Sequence, residues 1–365
     1  MEIENKKLHK IMGLKFGILK ELNAISERCV AFSPALLKQL IPLYPQAKFI
    51  VESSATRVFT DDEYKTNGIE VGSAISDCDV FIGIHPIPAD QLIPNKTYLF
   101  ALDLGKNQLE KDKYQQLALE KNGTMYDYSS VIDTNNLQRT QGLVGAYNAF
   151  RAFGIKFELF KLPSIMTFLD QSSLITYLKR PVLPPLKITV VGTEEIVSGV
   201  KILLKAMKIK EVAVPDFLSK NYAQAVFTLI DNLDSNDLET VTKISDIIIA
   251  DTTINGKSVV LSQELLNAKD AKLRVVADLN PNSANSIACT LRQSTVEEPF
   301  YGYLPNENKE VEVFHPAAIV VSAVPFLGTE FPKEASEDFG KPFIEQLLPA
   351  FFDQDSNGIL KKIQL

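Results

Sequence analysis

The residues whose types and spacing could do chemistry gather around Gly192. Lys187–Val191 is a short β-branched apolar run, the composition of a strand buried on both faces, and Gly192 ends it. From Ile196 apolar residues recur at helical spacing through Val197, Val200, Leu203, Leu204 and Met207, and stop at the basic Lys208–Lys210. A second apolar run, Val212–Val214, leads to Asp216. Strand, glycine turn, helix, strand and acid in this order are the layout of a dinucleotide-binding βαβ unit. In that reading Gly192 and Thr193 meet phosphates, and Asp216 takes a ribose hydroxyl or, alternatively, caps the turn at Phe217–Leu218. The glycine pattern itself is broken. G-x-G-x-x-G requires glycine where this chain has Glu194 and Val197. A carboxylate there adds bulk and repels a diphosphate at a helix N-terminus that would otherwise attract anions. The other reading of the stretch is a crossover unit that binds nothing.

The elements that must position these residues alternate along the chain. Leu14–Leu19 reads as a first strand, and Ser33-Pro34 opens a helix with Ser as cap and Pro in its first turn. Phe49–Glu52 is a strand, and a short helix starts at Asp61 and closes at Asn67-Gly68. Asp79–Ile84 is a strand ending at His85-Pro86; Thr97–Leu102 is another, ending at Asp103. Met125–Asp127 closes this half. Gln141–Phe160 reads as a long connecting helix with Gly142, Gly145, Ala146 and Ala149 on one side, where another element can come close. Beyond Asp216, Asp246–Ala250, Leu273–Ala277 and Val311–Val313 are sheet candidates, and Ser322–Pro349 ends in an amphipathic helix. Strands alternating with helices predict an α/β fold with parallel sheets.

Composition narrows the function classes. At 365 residues the chain has room for two ordinary domains. A net charge of −7 argues against nucleic acid and against an anionic membrane as partner. Cys29, Cys78 and Cys289 are odd in number and set among apolar residues, which suggests buried thiols in a reducing compartment. His9, His85 and His315 are too scattered to suggest a metal site. No apolar run approaches the length of a membrane span, and the polar start MEIENKKLHK has no signal-peptide core, so a cytoplasmic protein is expected.

Four blocks carry a family resemblance. They are Gly17–Glu21 with Arg28; Leu143–Asn148 with Arg151–Gly154; Thr290–Arg292 with Ser294-Thr295 and Phe300–Tyr303; and Phe331-Pro332 with Glu334–Glu337. With these the chain resembles the alanine dehydrogenase/transhydrogenase superfamily, and within it the lysine-forming, NAD-dependent saccharopine dehydrogenases. The resemblance implies two doubly wound, Rossmann-like domains with a cleft between them. Residues 1–140 plus 318–365 would form a discontinuous substrate domain and 141–317 the nucleotide domain. It also implies hydride transfer between a nicotinamide and an amine or imine carbon, with an arginine fork for the substrate carboxylate and acid/base groups beside it.

Arg28 matches the family arginine. Where the family has a lysine this chain has His85, and where it has a histidine it has Asp103. An imidazole can replace an amine as general base, with Asp103 orienting it. A family glutamate falls on Ser129, and an aspartate near the nicotinamide falls on Asn282. Two readings follow. One is an NAD(P)(H)-dependent oxidoreductase acting on the CH–NH group of an amino acid or its 2-oxo acid, with altered acid/base residues. The other is a catalytically inactive family member kept as a binding or assembly protein. The resemblance is compatible with a homo-oligomer.

Overall fold

A computed structural model describes residues 13–22, 27–102, 108–178, 182–230, 235–251, 253–254, 257–258, 261–268, 271–281 and 287–365. The chain divides into two compact units, residues 1–134 with 332–365 and residues 135–331. No helix among the described residues is long and apolar enough to cross a membrane.

Unit 1 begins with strand β1 (Lys15–Ile18), helix α1 (Pro34–Leu43), β2 (Lys48–Glu52), helix α2 (Asp61–Thr66) and β3 (Glu70–Gly72). It continues through β4 (Val80–Ile82), β5 (Thr97–Phe100), helix α3 (Gln108–Glu120) and β6 (Thr124–Asp127). The caps form as the sequence suggests. Ser33 Oγ accepts the Leu36 N–H at 3.2 Å, and Thr60 with Glu63 closes a capping box at the head of α2. Gly68, just past α2, takes a positive φ of 77°, which glycine adopts at no steric cost. All six strands pair in parallel, in the order β3-β2-β1-β4-β5-β6. The order reverses between β1 and β4, and in such sheets ligands bind beyond the carboxyl ends of the strands that flank the reversal.

Unit 2 opens with the long helix α4 (Asn135–Lys156) and the short α5 (Gln171–Tyr177). Next come β7 (Lys187–Val191), α6 (Glu194–Ala206), β8 (Lys210–Glu211), α7 (Val214–Ser219) and β9 (Val226–Ile230). Helix α8 (Ser235–Ile244), β10 (Ile247–Ala250), a two-residue hairpin β11–β12 (Thr253–Ile254, Lys257–Ser258) and α9 (Gln263–Leu266) follow. The unit closes with β13 (Val275–Asp278), β14 (Tyr301–Leu304), β15 (Lys309–Val311) and β16 (Ile319–Ser322). Strands β8-β9-β7-β10-β13-β16 run parallel; at that edge β14 pairs antiparallel with β16, and β15 pairs antiparallel with β14. The chain then returns to unit 1 as α10 (Pro332–Pro342), a π-helical turn at Phe343–Leu347, α11 (Leu348–Phe352) and α12 (Ile359–Ile363).

The α/β class and the two parallel-dominated, Rossmann-like sheets agree with the sequence. Several particulars differ. The expected strand at Val212–Val214 lies earlier, at β8, and Val214 opens α7 because Pro215 fits a helix's first turn. The run Val226–Ile230 is a strand that the sequence reading passed over, and it lies between β7 and β8. Of the candidate at Val311–Val313 only Val311 lies in a strand, as the last residue of β15. Residues 318–331 fall in unit 2, because β16 pairs with β13 and β14. Helix α4 is part of unit 2 and starts earlier than expected; its Gly142 meets α6, while its Gly145 meets Leu279. A Cβ on Gly142 would stand 2.0 Å from the Ile196 carbonyl oxygen, and one on Gly199 would stand 1.8 Å from that of Arg139.

Candidate functional site

In unit 1 the chain leaving β1 passes the chain leaving β4 at the reversal of strand order. Glu21 lies there with its side chain buried. Its carboxylate accepts the Ile84 N–H at 2.7 Å and the His85 N–H at 3.0 Å, and His85 Nδ1 stands 3.3 Å from the same oxygen that takes the His85 amide. A buried carboxylate holding two backbone N–H groups is fixed in place. A neutral His85 facing it carries its proton on Nδ1, which leaves Nε2 as the nitrogen that can take another. Below them the buried Tyr128 hydroxyl donates to the Gly83 carbonyl at 2.9 Å. Burial, reinforced by the charges of Glu21 and Asp127, raises the Tyr128 phenol well above its ordinary value, so it stays a neutral donor.

Neighbouring polar residues are occupied by structure. Asp127 accepts the Leu102 N–H at 3.1 Å and the Ser129 N–H at 3.1 Å, and pairs with Lys111 at 3.0 Å. Burial pushes its carboxyl up, but Ser129 and Lys111 together hold it below the usual range. Ser129, where a family glutamate was expected, serves this clamp. Arg28 lies half-buried in a turn whose carbonyl accepts the Val58 N–H at 2.8 Å. Arg57 is buried and reaches Phe59 and Glu52 carbonyls and the Asp61 carboxylate at 2.6 to 2.9 Å, over the Tyr64 ring. It holds the loop after β2 rather than a ligand.

In unit 2 Gly192 and Thr193 end β7 at the start of α6. Thr193 occupies the cap position without capping, and its Oγ1 is shut from solvent with no hydrogen-bond partner. Glu194 is exposed in the first turn of α6, beside Glu195. Gly192 abuts Asp251: an added Cβ would lie 3.5 Å from that of Asp251, whose N–H donates to the Val191 carbonyl at 2.8 Å. One strand over, Asp278 ends β13 and accepts the Thr290 hydroxyl at 2.8 Å and the Asn280 N–H at 3.0 Å. Burial pushes its carboxyl up to about 6 against those two bonds, and the charge of Asp251 adds to the rise.

Asp216 is neither at a strand end nor a cap. It sits in the first turn of α7, half-exposed, paired with Lys220 at 2.9 Å. Its strand β8 is separated from β7 by β9, roughly 10 Å at the usual spacing of two strands. A ribose on β7's crevice would need its acid on the adjacent strand. Together with the carboxylates of Glu194, Asp251 and Asp278, this arrangement does not fit a dinucleotide diphosphate and its ribose. Asp103 and Asn282 lie outside the described residues.

The structure thus joins His85 to Glu21, where the sequence reading had given the orienting role to Asp103. Glu21 closes the Gly17–Glu21 block, and only the strand order shows what it touches. Asp251 and Asp278 were also missed; their signal was an apolar run ending in Asp at a strand's carboxyl end. Among the described residues no cluster of His, Cys, Asp and Glu could hold a metal ion.

Comparison with known proteins bears on the family of the N-terminal part. Residues 17–146 match the model of the alanine dehydrogenase/PNT N-terminal domain. Over those residues the chain carries that domain, and it is similar to the alanine dehydrogenase/transhydrogenase superfamily. It is similar to the alpha-aminoadipic semialdehyde synthase of Arabidopsis thaliana, 21% identical over 360 residues, covering 80% of this chain and 34% of that protein. The chain therefore spans about a third of that relative's length. Among solved structures, an L-alanine dehydrogenase aligns over 96% of this chain and 92% of its own, with a TM-score of 0.67 and 14% identity. A transhydrogenase from Sinorhizobium meliloti aligns over 96% of both chains with a TM-score of 0.56 and 15% identity. At these identities the two structures speak for the fold.

Proposed function

We propose that this protein binds a small amino acid or 2-oxo acid through unit 1 and does not carry out dinucleotide-dependent hydride transfer, serving instead as a binding or assembly protein. The observation that carries this is the turn after β7. Glu194 stands at the helix start where the diphosphate needs a glycine, and Asp251 and Asp278 line the neighbouring strand ends. Like charge at that place opposes an anion. Similarity to an enzyme named for alpha-aminoadipic semialdehyde supports an amino-acid ligand. Three buried free cysteines support a reducing compartment such as the cytoplasm. Calorimetric titration with NADH, NADPH and NAD⁺ tests the reading. No heat at millimolar ligand is expected, and micromolar binding overturns it.

One observation favours a second reading, an NAD(P)(H)-dependent oxidoreductase of the CH–NH group. Glu21 holds the His85 amide and faces its Nδ1, the arrangement of an oriented general base. Arg28 would then take the substrate carboxylate with its planar fork. Turnover of NADH with a 2-oxo acid and an amine, lost in His85→Ala, would establish it.

A further inference from the structure

Unit 1 holds a second feature at the carboxyl edge of its sheet. A cavity of about 330 Å³ opens between the ends of β1 and β2, the loop after β3 and the segment after β4. Its apolar wall is made by Leu19, Ile75, Phe81 and Ile87, all buried. At its rim Lys20 and Glu52 stand side by side. Lys20 Nζ is 3.5 Å from Glu52 Oε1, while Glu52 Oε2 accepts the Lys20 N–H at 3.1 Å. The Lys20 side chain remains 41% exposed and that of Glu52 18%. The next residue, Glu21, is committed to Ile84 and His85 and takes no part in this pair.

We infer that this cavity is a binding site for an α-amino acid, with the zwitterionic head on Lys20 and Glu52 and an apolar side chain against Leu19, Ile75, Phe81 and Ile87. An α-carboxylate and an α-ammonium are opposite charges a few ångströms apart, as are the two protein groups, so each finds its counter-ion without leaving a charge unpaired. Breaking the existing pair costs little, because a partly exposed lysine–carboxylate contact contributes about 0–1 kcal/mol. Glu52 is held by the Lys20 N–H whichever ammonium it faces. The apolar wall discriminates by side chain, since each buried methylene is worth about 0.8 kcal/mol. Pockets of about 300 Å³ with a few convergent polar groups are of the size that small ligands use.

Titration calorimetry with L-leucine, its amide and 2-hydroxy-4-methylpentanoate tests the site. Leucine binds, and the amide and the hydroxy acid, each lacking one charge, bind about tenfold more weakly or worse, the effect of losing one charge-assisted hydrogen bond. Lys20→Met lowers leucine affinity by a similar factor. Ala74→Trp, a rim substitution on an exposed loop, fills the cavity and abolishes binding while the melting temperature stays unchanged. Equal binding of all three probes, no leucine binding to the native protein, or binding that survives both substitutions overturns the inference. Binding that survives Lys20→Met and Ala74→Trp but disappears in Arg28→Ala places the amino acid at the Arg28 site instead. That outcome removes this site and leaves the proposed function standing.

Discussion

Glu21 and Asp278 are both buried carboxylates at strand ends, and their partners set them apart. Glu21 faces two backbone N–H groups and an imidazole nitrogen, all donors or potential donors. Glu21→Gln puts an NH₂ against one of those N–H groups, which should cost about 1–3 kcal/mol of stability. His85→Gln, on a side chain 22% exposed, should cost under about 1 kcal/mol. Urea unfolding of the two variants separates the holder from the held; equal costs would refute the assignment. Asp278 faces Asp251 as well as its donors, and its folded carboxyl titrates near 6 against an ordinary 3.8. The sign follows from linkage. The raised value means the unfolded chain gives up this proton first, so the group's contribution falls as pH rises from about 4 to 6 and is flat above. The loss amounts to roughly 3 kcal/mol at pH 7. Asp278→Asn has no such proton. Its unfolding free energy relative to the native protein should therefore climb between about pH 4 and pH 6 and level off above. A difference independent of pH would refute the account.

At the scale of elements, the α4–α6 contact is backbone against backbone. Gly199 and Gly142 leave no room for a Cβ, and the atoms in the way are carbonyl oxygens that no rotamer change can move. Gly199→Ala and Gly142→Ala should each destabilise unit 2 by about 1–3 kcal/mol or more through overpacking, against the few tenths gained where an alanine fits. Chemical denaturation measures it, and a neutral Gly199→Ala would show that the helices can part freely. The small residues along α4 were legible in the sequence because helical spacing places them on one face. Their partner was not, since it is set by tertiary packing. The same holds for the nucleotide-like unit. The strand and helix at Lys187–Ala206 could be read from local apolar spacing. The insertion of β9 between β7 and β8 could not, because strand order is a non-local choice and β8 has only two residues to announce itself. That insertion is what removes Asp216 from the crevice. The site at His85 was half legible for the same reason: its place at a strand end is local, and its partner Glu21 comes from 64 positions away.

At the scale of the molecule, the chain completes unit 1 only after it has built unit 2. The seam falls at Phe331–Pro332, inside one of the blocks that carried the family resemblance. The returning segment fills the core of unit 1. Ser336 Oγ accepts the Val30 N–H at 3.1 Å, and the Phe343 ring packs 4.8 Å from Phe32 and 4.9 Å from Tyr128. Phe351 meets the edge of Phe16 at 5.7 Å, and the Leu365 N–H reaches the Met125 carbonyl at 3.0 Å. Unit 2, by contrast, is one continuous stretch with a buried core on each face of its sheet. A fragment of residues 135–331 should fold alone and unfold in one cooperative step. A fragment ending at Phe331 should keep that transition and lose the other, because Phe16, Phe32 and Tyr128 would be left facing water, and each large side chain so uncovered forfeits about 1.5–3 kcal/mol. Adding residues 332–365 in trans should restore the second transition. If the truncated chain shows both transitions unaided, the returning segment is dispensable and the core of unit 1 lies elsewhere.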